Sequence, residues 1–130
     1  MTDRTIYAGV SPNGKPMYTT PEDVGVVDIM LAEKYIRKLN DENAFGHNDW
    51  RLPDASEKKT LLGTKDTGAL SRTFNGQNEL RTQRRLSDCY LSSDVLTQER
   101  VTLEREDGYR ESAHKKSGIP FVIRPVRNEP

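Results

Sequence analysis

Asp49-Trp50-Arg51-Leu52-Pro53-Asp54-Ala55-Ser56-Glu57 is the stretch from which the rest of the chain is read. A residue before proline avoids helical geometry, so the first half, up to Pro53, reads as extended. A helix follows at once. Asp54 is its N-cap, and Glu57 three residues later makes a capping-box pair. Leu61 and Leu62 give that helix a buried edge, and Gly63 is its expected stop. Trp50 is the only tryptophan of the chain. A Trp face beside an Arg suits sugars or aromatic ligands. The preferred reading is structural: Trp50 plugs the core, and Asp49 holds a backbone amide or an arginine such as Arg124 or Arg127.

Working outward, residues 5–10 read as a strand, with Ile6, Ala8 and Val10 alternating with Tyr7 and Gly9. Ser11-Pro12-Asn13-Gly14-Lys15-Pro16 is a dense turn signal. Met17-Tyr18-Thr19-Thr20 then returns as a second strand, and Pro21-Glu22-Asp23 breaks it. A helix is expected from Asp28 as N-cap, with Ile29, Ala32, Tyr35, Ile36 and Leu39 at helical spacing. Glu33, Lys34, Arg37 and Lys38 take its other face. Residues 64–85 have weak periodicity and read as a long irregular loop. Beyond it, Cys89-Tyr90-Leu91-Ser92-Ser93 and residues 98–103 are expected strands. Asp107-Gly108 is a turn, and residues 119–126 close the chain as an edge or irregular strand because of their prolines. Few long helices and several short strands argue for an α+β domain rather than a parallel sheet.

The bulk numbers narrow the function classes. A chain of 130 residues fits one domain, taken as 1–130. Hydrophobic residues make up 33% and charged residues 31%, which is a polar globular composition. Basic and acidic residues balance at 20 each, so no nucleic-acid partner is expected. No segment approaches the ~20 apolar residues of a membrane span, and no signal-peptide run opens the chain. The expected location is therefore cytoplasmic, or a particle assembled in the cytoplasm. The single cysteine, Cys89, excludes an intramolecular disulfide.

Gly46, His47, Asp49, Trp50, Arg51, Leu52, Pro53 and Glu57 together resemble a Gly-His-x-Asp-Trp-Arg-Leu-Pro core with a following early Glu. That core belongs to a bacterial and phage domain of unknown function, best known as the C-terminal domain of a collagen-like adhesin. The resemblance extends to the opening hairpin, to Ala32, Tyr35 and Leu39-Asn40, and to Tyr90-Leu91-Ser92-Ser93, where Leu91 replaces a usual tryptophan. It also covers Asp107-Gly108 and Val122-Ile123-Arg124-Pro125-Val126-Arg127. Residues 65–88 depart most. The same architecture is similar to C-type-lectin-like folds and to formylglycine-generating enzymes. The resemblance implies a C-type-lectin-like domain: two main helices beside a small twisted antiparallel sheet, with long loops.

Chemistry-bearing residues are sparse. His47 and His114 are the only histidines, too few with one cysteine for a zinc site, so no metal and no cofactor is expected. His47 is expected to bond a loop carbonyl. Cys89 reads as a buried inert thiol, since formylglycine-type oxidation in the similar enzymes relies on a cysteine pair. Ser92-Ser93-Asp94 lacks a nucleophile elbow, and calcium-ligand patterns of lectins are missing. Two polar segments remain as candidates for ligand binding. One carries Arg81, Arg84 and Arg85, which also reads as a solvated charged loop. The other carries Tyr109, Arg110 and His114, with Lys115 and Lys116. Tyr and Arg are frequent interface anchors, and loops on a rigid scaffold carry recognition. The expectation is a non-enzymatic recognition domain, and the resemblance implies a phage or prophage component, located in the cytoplasm or the phage particle. It would bind a protein partner or glycan through loops 64–88 and 107–117. The alternatives are a diverged enzyme related to the formylglycine-generating type and a structural subunit of an assembly. The sequence leaves the oligomeric state open.

Overall fold

The computed structural model describes residues 5–76 and 84–128. It is an α+β arrangement of three small antiparallel sheets and two helices of more than two turns. β1 (Ile6–Val10) and β2 (Pro16–Thr19) form the expected hairpin, and β2 pairs on its other side with β7 (Val126–Asn128). The register shifts between Tyr7 and Gly9. Gly9 sits there at φ +109, and a Cβ on it would lie 3.3 Å from Thr60 Cγ2, where the second helix packs.

The quoted stretch completes this sheet. Arg51 N–H donates to Val126 O (3.0 Å), and Val126 N–H donates back to Arg51 O (2.8 Å). The extended segment before Pro53 is thus a rung beside β7. The helix α2 (Ala55–Gly63) then starts on a complete capping box: Asp54 Oδ1 accepts from Glu57 N–H, and Glu57 Oε1 accepts from Asp54 N–H. It lays Leu61 against Ala8, Met17, Leu70 and Val126.

The second sheet pairs β3 (Gly25–Asp28) with β6 (Pro120–Ile123). Asp28 caps a 3-10 turn at Ile29–Leu31, its carboxylate accepting from Met30 N–H, and the chain runs on into α1 (Ala32–Asp41). The main core lies under α1, where Ile29, Ala32, Ile36 and Leu39 meet Trp50, Leu52, Leu91, Phe121 and Ile123. The third sheet is the hairpin β4 (Arg100–Glu104) and β5 (Arg110–His114), turned at Asp107-Gly108, with Gly108 at φ +89.

Three expectations are corrected, and one strand is new. The closing stretch 119–126 is two strands in two sheets, because Pro125 offers no N–H and Arg124 turns its side chain inward between them. Cys89 to Ser93 is not a strand: a helical turn at Leu86–Cys89 is followed by a single parallel bridge from Tyr90 to Val122 and a second turn at Ser93–Leu96. Residues 107–117 are not a loop, since five of them form β5. β3 was not expected at all: it is four residues long and follows directly on the Pro21 break.

Candidate functional site

Trp50 is 2% exposed and fully engaged. Asn40, in the last turn of α1, brackets its backbone: Nδ2 donates to Trp50 O (2.9 Å), and Oδ1 accepts from Trp50 N–H (2.8 Å). Its indole N–H donates to Ala44 O (2.8 Å), and Phe45 and His47 meet its ring edge-on. Asp49 accepts from Arg127 Nε at 2.7 Å, and this bond holds its carboxyl below the ordinary value. The motif therefore ties α1, α2 and β7 together. It presents no free indole face to a ligand.

A second charged centre is wholly internal. Arg124 is 1% exposed and meets Asp23, whose Oδ1 is 3.0 Å from Arg124 Nη1. Arg124 also donates to Thr19 Oγ1, Thr20 O and both oxygens of Thr73, and its guanidinium lies 4.0 Å from the centre of the Phe74 ring. Tyr90 donates its phenol proton to Asp23, and burial followed by the Asp23 charge pushes the Tyr90 phenol up. Cys89 is fully buried beside it. Burial raises its thiol to about 11, so it is a protonated thiol at neutral pH, with Sγ donating to Arg85 O. Among the described residues no group of His, Cys, Asp and Glu has the arrangement of a metal site. None of their helices is long and apolar enough to cross a membrane.

The candidate binding residues among the described ones separate into three places. Arg85, Tyr109 and Arg110 come together at the turn end of the β4–β5 hairpin. Arg85 Nη1 lies 2.9 Å from Glu104 Oε2, and Arg110 Nε lies 3.9 Å from Oε1 of the same carboxylate. Tyr109 is 57% exposed and stacks over the Arg105 guanidinium at 5.6 Å. The second place is beneath them. Arg84 is buried rather than part of a solvated loop, donates to Pro120 O (2.7 Å) and lies over Phe121 at 5.1 Å. Burial lowers its pKa. His114 occupies the third place, the opposite end of β5, about 14 Å from Arg110 at ~3.4 Å per strand residue. Its Nδ1 accepts from Lys116 N–H. Arg81 lies outside the described residues.

The turn end of the hairpin is clamped to the scaffold. Arg84 bridges Arg105, Arg85 N–H donates to Glu104 O (2.8 Å), and the Asp88 carboxylate accepts from Glu104 N–H. Glu104 and Arg105 are the residues that sequence reasoning missed here. Their signal was the alternation of Val101 and Leu103 running into an Asp-Gly turn, which makes a hairpin and sets residues 104 and 105 opposite 109 and 110. The arrangement sets an aromatic ring among three guanidiniums, Arg85 and Arg110 facing the Glu104 carboxylate and Arg105 facing that of Asp107. No family model, curated protein or solved structure matches the chain.

Proposed function

We propose that the chain is a non-enzymatic recognition domain that meets a protein partner or glycan through the turn end of the β4–β5 hairpin and the adjoining Arg85. The observation that carries this reading is the cluster Arg85, Arg105, Tyr109 and Arg110. These groups are held in place from below by the Arg84 and Asp88 clamps, yet the Tyr109 ring and the Arg110 side chain stay open to solvent. Such a surface needs little ordering to bind, since its strand backbone is already fixed. Tyr with Arg gives both stacking area and donors for carboxylate, sulfate or hydroxyl groups.

The C-type-lectin-like architecture and the kinship with the collagen-like adhesin domain remain part of the proposal. Their support is that three segments carrying the resemblance, the opening hairpin, residues 49–57 and the closing strand, pack into one sheet-and-helix unit.

The test is a paired screen on a glycan array and on immobilised host-lysate protein, with wild type and Tyr109→Ala/Arg110→Ala. Both substitutions are on exposed positions, so stability should change by less than about 0.5 kcal/mol each. A ligand held by wild type and lost by the variant supports the reading. A ligand held equally by both removes the hairpin from the surface.

A further inference from the structure

We propose that the groove between α1 and the free edge of β3 is a second docking site, for an acidic peptide segment bearing large apolar side chains. The groove encloses about 580 Å³ and lies away from the β4–β5 hairpin. Val27, Leu31 and Tyr35 give it an apolar floor. Tyr35 is fixed there, its phenol donating to Val24 O at 2.7 Å, and a Cβ on Gly25 would stand 2.8 Å from the Tyr35 hydroxyl oxygen. The floor is therefore preformed. Leu31, which lines the groove, is 55% exposed; Met30 and Val26, near it in sequence but outside the lining, are 49% and 37% exposed. Three of the six large hydrophobics exposed among the described residues thus fall between positions 26 and 31. An exposed leucine over a preformed apolar floor marks a contact face more than an isolated one does.

Charge selects the occupant. Lys34, Arg37 and Lys38 line the same groove from α1, and all three are exposed. Their side chains make no hydrogen bond or ion pair among the described residues. Asp41 is the single acid among the lining residues, so the rim is net positive on a chain whose total charge is zero. A partner that fills the floor must bring carboxylates to the rim and large apolar groups to Leu31 and Tyr35. An acidic amphipathic peptide does both. A lipid surface is the poorer fit, since it is flat and these apolar atoms line a concavity.

The experiment is selection from a random-peptide phage library on the immobilised full chain, followed by titration of enriched peptides. The comparison proteins are Lys34→Glu/Arg37→Glu/Lys38→Glu, Leu31→Ser and, as the hairpin control, Tyr109→Ala/Arg110→Ala. All sit on exposed positions, and thermal melts establish that each is folded. Enriched peptides should be rich in Asp and Glu with Leu, Phe or Trp between them. Charge reversal should weaken them about tenfold or more, and added salt should weaken them on wild type. Leu31→Ser should weaken them as well, and the hairpin control should bind them like wild type. Peptides without acids, peptides that hold the charge-reversed protein equally well, or no enrichment at all would overturn the proposal. Sedimentation with equal-part phosphatidylcholine–phosphatidylserine vesicles that is lost on charge reversal, without any acidic peptide enriching, would also overturn it and assign the face to lipid.

Discussion

Trp50 shows how a single side chain can carry both a fold and a false lead. Beside Arg51 it has the look of a sugar-stacking platform, yet its ring is closed in by Phe45, His47 and the α1 side of the core. Trp50→Ala should destabilise the protein by about 3–5 kcal/mol, the range for large buried aromatics. Trp50→Phe should cost less, because it keeps most of the contact and gives up chiefly the bond to Ala44 O. Urea denaturation of both variants checks this. An alanine variant within about 1 kcal/mol of wild type would contradict the assignment. Asp49 follows the same logic, since Arg127 was one of its two expected arginine partners and is the one it meets. Arg84 does not. Its neighbours in sequence are polar and charged, so a local reading puts it in solvent. Its burial depends on Pro120 and Phe121, which are far away along the chain and invisible to any local pattern.

At the scale of elements, α2 rests on its first turn. Glu57 is 4% exposed and does two things: it closes the capping box, and it takes both guanidinium nitrogens of Arg51 at 2.6 Å. The Arg51 hydrogen bonds hold its carboxyl below the ordinary value of 4.5 against a smaller upward push from burial. The pair therefore contributes fully above about pH 4.5 and is lost as pH falls through the lower folded value. Half of the pair is partly solvated, with the Arg51 side chain 41% exposed, so the contribution is that of a screened bond. Wild type should lose stability as pH falls below about 4.5, and Glu57→Gln should be less stable at neutral pH but flatter on the acid side. Melting temperatures across pH 3–7 for the two proteins, read at roughly equal intervals, decide it; parallel curves would reject the pair as the source. Helix starts of this kind were legible because a cap is local chemistry: Asp54 with Glu57 and Asp28 before Ile29 both act where the sequence places them. β3 and β5 were not legible. β3 is short and pairs with a strand nearly a hundred residues away, and β5 is polar because one of its faces meets solvent. The hairpin site was legible as residue types, Tyr109 and Arg110, while its geometry waited on the strand pairing.

Across the whole molecule, the sheets and loops meet at Arg124. It lies between β6 and β7, from where its side chain reaches the end of β2, the turn at Asp23 and the segment carrying Thr73 and Phe74. Asp23 in turn accepts from Tyr90 and from Asn75 N–H. An ion pair this deep is weak evidence of net stabilisation, because two charges are taken out of water; breaking it from one side is another matter. Arg124→Ala leaves the Asp23 carboxylate buried without its counter-charge and strips donors from Thr19, Thr20 and Thr73. The expected loss is about 3–5 kcal/mol. Asp23→Ala should cost a similar amount, since it leaves a buried guanidinium. The double variant removes both charges, so it should fall short of the summed single losses by about 1–3 kcal/mol. Denaturant titration of the four proteins at neutral pH measures that coupling directly. Strict additivity would mean that the two groups act independently, and that burial of Arg124 against Phe74, rather than its charge, joins the sheets.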